Sequence, residues 1–243
     1  MSRSAIFFKF VAAISLVIVS ARGIAGTIAG TVRPVNSHDS NVNKKKDFGD
    51  VAVWLTPLDD TFVRVSARHA EMLQKDKQFT PHILVVSTGT TVDFPNLDPI
   101  FHNAFSNFDG QIFDISLYPP GSSKSVKFDH AGIVRVFCNI HPTMSAIIVV
   151  VNSSYFTITD DDGHFSIPNV PAGTYELHVF HERATPETLA RLVRPVTITQ
   201  AATKLDGVTI SETGYLPVGH KNKYGRDYPP GADSVKTYSI PLK

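Results

Sequence analysis

The chain of 243 residues contains one cysteine, and it stands in the run Cys138-Asn139-Ile140-His141-Pro142-Thr143-Met144. A thiol, an imidazole and a thioether therefore recur at every third position of a segment short enough to form one tight loop. A fourth donor, His102, lies well upstream in Phe101-His102-Asn103. For the four to act together, the fold must carry a distant segment onto the loop, and that requirement restricts the architecture more than any other feature. A thiolate, two imidazoles and a weak thioether are the donors that hold copper in a trigonal plane with a long axial bond, a geometry suited to one-electron transfer.

The surroundings read as strands. In Gly132-Ile133-Val134-Arg135-Val136-Phe137-Cys138 the alternation puts Val134, Val136 and Cys138 on one face, so the sulfur points to the core. Pro119-Pro120, Gly121 and Gly132 supply breaks between neighbouring strands. Further upstream lie Phe79-Thr80-Pro81, Ile83-Leu84-Val85-Val86 and the stretch from Gly89 through Thr90-Thr91-Val92-Asp93-Phe94-Pro95 to Asp98.

These segments and the loop resemble the cupredoxins, the family of plastocyanin and pseudoazurin, and the Cys-x2-His-x2-Met spacing looks most like amicyanin. The resemblance covers residues 70 to 152. It implies that His102, Cys138, His141 and Met144 are ligands of one type 1 copper, and that Asn103 braces the ligand loop near the sulfur. It also implies that the edge of His141 lies near the surface, in an apolar patch where redox partners dock. Phe137 departs from the plastocyanin pattern, which commonly has a tyrosine near the cysteine. Singly, a cysteine, histidine or methionine is most often packing or surface; the four donors in order point to a metal site.

The first residues bear on location. Arg3 and Lys9 precede an apolar run from Phe10 to Val19, and Gly23 and Ala25 are small residues suited to cleavage after Ala25, with Ala21 as a second candidate. The run is about half the ~20 residues needed to cross a bilayer, so a signal peptide is expected rather than an anchor. The mature chain is expected to be periplasmic or secreted, without a membrane span. An unpaired cysteine is unusual in exported proteins, and metal ligation would protect the thiol. A net charge of +1 gives no case for nucleic acid, and Lys44-Lys45-Lys46 reads as a solvated loop.

A second pattern follows the copper region. Thr157 to Ile167, with Asp160-Asp161-Asp162-Gly163 at its centre, and then Pro171-Ala172-Gly173 to Val179, read as strand, tight turn, strand, turn, strand. The Asp-Gly step predicts a hairpin. The run resembles the carboxypeptidase regulatory-like, or transthyretin-like, β-sandwich. That family opens with a Gly-rich strand and a second apolar strand, and here both stand upstream of the copper region, at Gly26-Thr27-Ile28-Ala29-Gly30-Thr31-Val32 and Val51-Ala52-Val53-Trp54-Leu55.

The expected fold is therefore all-β: a cupredoxin Greek-key β-sandwich inserted into a second small β-sandwich. The layout is a signal peptide over 1–25, the first sandwich strands over 26–68, the cupredoxin domain over 69–152, the rest of the sandwich over 153–210, and a C-terminal tail over 211–243. An extended N-terminal arm on a single cupredoxin is the alternative. The tail is either laid over the surface or a docking arm.

Smaller features have plain readings. The aspartate run lacks the alternate carboxylates of a calcium loop, since Ile158 stands where the first would fall. His178 and His181 fall on opposite faces of a strand. His38, His69, His82, His130, His164 and His220 have no partner at ligand spacing and are expected to be surface or satisfied side chains. Thr185-Pro186-Glu187 starts a short helix.

The chain is thus expected to be an exported one-electron carrier that meets a redox protein partner. It is not expected to be an enzyme, because no second histidine cluster offers a metal with an open position. Two alternatives are a copper-delivery protein, whose site would be more open to solvent, and a structural or glycan-binding β protein in which the metal only stabilises the fold.

Overall fold

The computed structural model describes residues 25–37, 47–59, 68–107, 110–214 and 219–232. The expected signal segment up to residue 24, His38 and Lys44-Lys45-Lys46 lie outside the described residues.

Strands β1 (Ala25–Val35) and β2 (Ala52–Pro57) come first. The middle of the chain then forms β3 (His69–Glu71), β4 (Leu73–Lys75), β5 (Gln78–Thr80), β6 (Ile83–Ser87), β7 (Thr90–Pro95) and β8 (Phe105–Ser106). It continues with β9 (Phe113–Asp114), β10 (Ser123–Phe128), β11 (Gly132–Phe137) and β12 (Ser145–Val151). Next come β13 (Phe156–Ile158), β14 (His164–Pro171) and β15 (Gly173–Phe180). Helix α1 (Pro186–Leu192) then leads to β16 (Arg194–Ile198), β17 (Thr203–Lys204) and β18 (Val208–Ser211).

The pairing separates these strands into an outer and an inner group. β1 pairs with β14, β17 and β18, and β2 lies between β13 and β15, with β16 on the far side of β15. Both outer sheets are therefore built from the two ends of the chain. β3 to β12 pair only with one another, in the orders β10-β7-β3 and β6-β12-β11-β8-β9, with β4-β5 as a separate ribbon. The protein is all-β, and its middle forms a unit inserted into a split sandwich.

Hydrophobic patterning explains the layers. In β7, Thr90, Val92 and Phe94 are buried while the residues between them are half-buried, the two-residue period of a strand with one face on a core. The outer sheets enclose one core that includes Ile28, Val53, Leu55, Ile167 and Leu177. The insert has its own, including Phe94, Tyr118, Phe128, Val136 and Ile148. β12 is different: Ala146 to Val151 are all buried. One face meets the insert's core, and the other, through Ile147, Val149 and Val151, meets Ala52 and Phe180 of the sandwich. A strand covered on both sides reads as an unbroken apolar run, as Ala146-Ile147-Ile148-Val149-Val150-Val151 does.

The Asp-Gly hairpin needs correction. The turn exists: Gly163 has φ +80°, and its N–H donates to the Asp160 carbonyl at 2.8 Å. Its flanking strands, however, do not pair, since β13 joins β2 and β14 joins β1. The Val32 N–H donates to the Gly163 carbonyl at 2.7 Å, which ties the turn to β1 and sends the chain into the opposite sheet. A side chain at 163 would drive its Cβ into the Val32 carbonyl oxygen. The short helix is as expected, with the Thr185 side chain accepting from the Thr188 N–H at 3.2 Å and proline in its first turn.

An ion pair crosses between the two units. His82, between β5 and β6, places Nε2 2.7 Å from Oε2 of Glu182, just beyond β15. The hydrogen bond to Glu182 raises the His82 pKa above its ordinary 6.5, against burial. Burial works to raise Glu182, but His82, Arg135 and Arg183 together outweigh it and the carboxyl falls below its ordinary 4.5. The raised histidine stabilises fully below pH 6.5 and loses that contribution as pH climbs through its folded value. The lowered carboxyl contributes above pH 4.5 and loses its share as pH falls through its folded value. The urea midpoint of the wild type is thus expected to fall as pH rises above 6.5, and less so in Glu182→Gln. The pair is partly exposed, so the difference should stay within about 1 kcal/mol. Superimposable pH profiles would remove the bridge from the account.

Candidate metal centre

The donor loop is the connection between two paired strands. β11 and β12 run antiparallel with Phe137 opposite Ser145, so residues 138–144 turn the chain between them. The Cys138 N–H donates to the Met144 carbonyl at 3.2 Å, and the Met144 N–H to the His141 carbonyl at 3.1 Å, closing the loop on itself. Val134, Val136 and Cys138 have no exposed surface, as their shared face requires. His102 comes from the segment paired with Tyr118; its N–H donates to the Tyr118 carbonyl at 3.3 Å and its carbonyl accepts at 2.9 Å.

The donors converge. Cys138 Sγ lies 3.8 Å from His102 Nδ1 and 3.7 Å from His141 Nδ1. The three ligand atoms all fall within 4.8 Å of one another. Metal bonds of about 2.3 Å to sulfur and about 2.0 Å to nitrogen, opened to about 120°, place the two donors about 3.7 Å apart. Both observed sulfur–nitrogen spacings are therefore those of donors sharing one ion at about 120°. Met144, fully buried, packs in the same core cluster as Cys138.

Burial pushes the Cys138 thiol up, while the backbone amides of Asn103, Ile140 and His141 pull it down without reversing the shift. A bound cation would provide the missing stabilisation of the thiolate. Burial lowers the His102 pKa although Asp98 opposes it, leaving a neutral ring whose Nδ1 lone pair is available as a donor. The other ring nitrogen, Nε2, lies 2.7 Å from Asp98 Oδ2. Burial works to raise Asp98, yet the Lys77 N–H, the His102 ring and the Asp76 N–H together hold its carboxyl low. Histidine ligands commonly give their second nitrogen to a carboxylate, which fixes the ring and increases its basicity. Asn103 acts on the loop itself: its Oδ1 accepts from the Asn139 N–H at 2.6 Å.

The expected exposed edge of His141 is not found, because the side chain is only 1% exposed. Residues 219–232 form a strap over the loop. His220 Nε2 lies 2.6 Å from the Pro142 carbonyl, the Lys223 N–H donates to Asn139 Oδ1 at 3.0 Å, and the Tyr228 hydroxyl donates to the Cys138 carbonyl at 2.7 Å. The His220 ring stacks on Phe137 with centroids 4.0 Å apart. This described part of the tail is laid over the surface, and His220 belongs to the surroundings of the site. His178 and His181 do not meet: His178 stacks on Trp54, while His181 pairs with Glu212 at 2.8 Å.

Comparison with known proteins adds fold likenesses. The family model of polysaccharide lyase family 4, domain II, matches residues 148–212, where the sequence leads to the expectation of a carboxypeptidase regulatory-like sandwich. No curated protein matches the chain. Among solved structures, a purple cupredoxin from Nitrosopumilus maritimus is 22% identical, with 34% of this chain and 99% of that one covered and a TM-score of 0.32. The copper-containing nitrite reductase of Thermus scotoductus is 20% identical over 50% of this chain and 28% of that one, with a TM-score of 0.34. Amicyanin from Paracoccus versutus is 16% identical over 40% of this chain and 91% of its own, with a TM-score of 0.31. At these scores the donor geometry carries the argument, not the likeness.

Proposed function

We propose that the chain is an exported one-electron carrier, not an enzyme, with one type 1 copper held by His102, Cys138, His141 and Met144. The observation that carries this reading is the convergence of Cys138 Sγ with His102 Nδ1 and His141 Nδ1 at 3.8 and 3.7 Å. One soft thiolate and two imidazoles in a plane, with a thioether in the same buried cluster, suit copper more than any other first-row ion. When bound, copper would supply a one-electron redox couple.

The residues around the site serve that use by resisting rearrangement. Asp98 fixes the plane of the His102 ring, Asn103 holds the loop at Asn139, and the strap holds it at Cys138, Asn139 and Pro142. A loop bonded on both sides presents the same donor positions to either oxidation state. His102, Cys138, His141 and Met144 are all at most 1% exposed, which favours a carrier over a delivery protein that must release its ion. Export is proposed from the pattern of residues 1–25, and the partner is proposed to be a redox protein.

Adding copper(II) to the purified protein is expected to produce an intense visible thiolate-to-copper absorption that a mild reductant bleaches and an oxidant restores. Zinc should bind without colour. A protein that takes up copper but stays colourless would remove Cys138 from the ligand set and end the carrier reading. It would favour the alternative in which metal only stabilises a working sandwich.

A further inference from the structure

The strap has an inner side bonded to the ligand loop and an outer side of different character. Residues 222–226 form a closed turn: the Asn222 N–H donates to the Arg226 carbonyl at 2.9 Å, and the Gly225 N–H to the Asn222 carbonyl at 2.9 Å. The Asn222 side chain accepts from the Tyr224 N–H at 2.9 Å and the Arg226 N–H at 3.1 Å. Gly225, at φ +72°, supplies the left-handed residue that such a turn needs. The turn holds Tyr224 outward, 70% exposed, between the exposed Lys221 and Arg226. Beneath it, the Lys223 N–H is bonded to Asn139, the neighbour of Cys138, and Lys223 Nζ lies 2.7 Å from Asp114.

The charge of this segment is also positive. Over residues 219–232 the charged residues are Lys221, Lys223 and Arg226 against Asp227, and with Lys223 paired with Asp114 the exposed ones are Lys221 and Arg226 against Asp227, a net +1.

We propose that this turn is the electron-exchange surface, and that its occupant is a redox protein with an acidic docking face that sits on Lys221, Tyr224 and Arg226. The proposal rests on the carrier reading. With His141 1% exposed and the strap bonded to the loop on its outer side, a partner approaching the loop there meets the strap first. Tyrosine and arginine are the side chains that most often dominate interface energetics, and a turn fixed before binding loses little entropy on docking. Opposite charge steers the encounter and raises its rate. One electron passes from the reduced site to the partner's oxidised centre; no bond forms or breaks and no proton moves.

The test uses two anionic complexes as stand-ins for the acidic face. Hexacyanochromate(III), paramagnetic and hard to reduce, is added to the copper-free, isotope-labelled full chain. Broadening of amide resonances is expected to centre on residues 221–226 and to be lost in the double variant Lys221→Glu, Arg226→Glu. A second double variant, Arg191→Glu, Lys204→Glu, makes the same charge change at exposed sandwich positions and is expected to keep it. With copper bound, oxidation of the reduced protein by hexacyanoferrate(III), which is itself reduced to hexacyanoferrate(II), is expected to slow about tenfold at low ionic strength in the first variant. In the second it should change less than about twofold, and salt should shrink the difference.

Broadening centred elsewhere, or equal slowing in both variants, would overturn the assignment and reduce the effect to net charge. The chromium experiment needs no copper. Broadening at the turn in a protein that forms no coloured copper site would therefore overturn the carrier reading while leaving an anion-binding surface in place.

Discussion

Cys138→Ser is expected to lose the visible colour and to weaken copper(II) binding by well over 100-fold in a competition titration. The thiolate is the one anionic donor within reach, because His102 and His141 are neutral ligands and Met144 offers only a weak thioether. Without it the cation would enter a buried site where, among the described residues, the nearest carboxylate is that of Asp98 behind the His102 ring, too indirect to offset the loss of water. Asp98→Asn keeps every donor but replaces the carboxylate at His102 Nε2, 2.7 Å away, with an amide. Changes of that kind in the groups behind a ligand cost about 10- to 100-fold. The order of the two effects matters more than their size. If Asp98→Asn matched Cys138→Ser, the aspartate would be a ligand itself and the trigonal arrangement would be wrong. The metal-free Cys138→Ser protein should still fold, since the Asn103, Ile140 and His141 amides around the sulfur can meet the serine oxygen.

Much of the candidate site was legible because its donors are chemically rare and closely spaced. Cys138, His141 and Met144 lie on one loop, and the alternation through Val134 and Val136 already pointed the sulfur inward. Asp98 went unnoticed because it differs in no way from any loop carboxylate until the chain turns it onto His102. The strap was illegible for a related reason. Residues 219–232 have no sustained period, since they form no regular strand or helix, and their order comes from bonds to Cys138, Asn139 and Pro142, some 80 residues away in the chain. In the sequence His220 therefore reads as a surface or satisfied histidine, and the family resemblance implies an exposed edge for His141. The Asp160–Gly163 turn shows a third limit. Local chemistry specified the turn, but whether its two strands pair depended on Val32, which binds Gly163 from a strand more than a hundred residues earlier.

The packing of the insert on the sandwich can be tested at two neighbouring residues of β12. Ile148 is fully buried in the insert's own core, so Ile148→Ala is expected to cost about 2–5 kcal/mol through lost transfer energy and a cavity. Ile147 points to the opposite side and is 2% exposed, in a cluster where Ala52, Phe180 and the half-buried Trp54 and Phe156 of the sandwich close over Ile83, Val85 and Ile133 of the insert. If the two units hold together in solution, Ile147→Ala should cost a similar amount in urea denaturation. If the contact does not persist, Ile147 becomes an outward residue, and its replacement should cost no more than about 0.5 kcal/mol while Ile148→Ala keeps its full effect. The same change at adjacent positions thus reads the two faces of one strand separately. The difference also bears on the metal centre, because β12 begins at Ser145, directly after Met144, and runs beside β11, which leads into Cys138. A sandwich that clamps the outer face of β12 would hold the end of the strand pair from which the donor loop hangs, so Ile147→Ala is further expected to speed copper loss to a chelator with no donor touched.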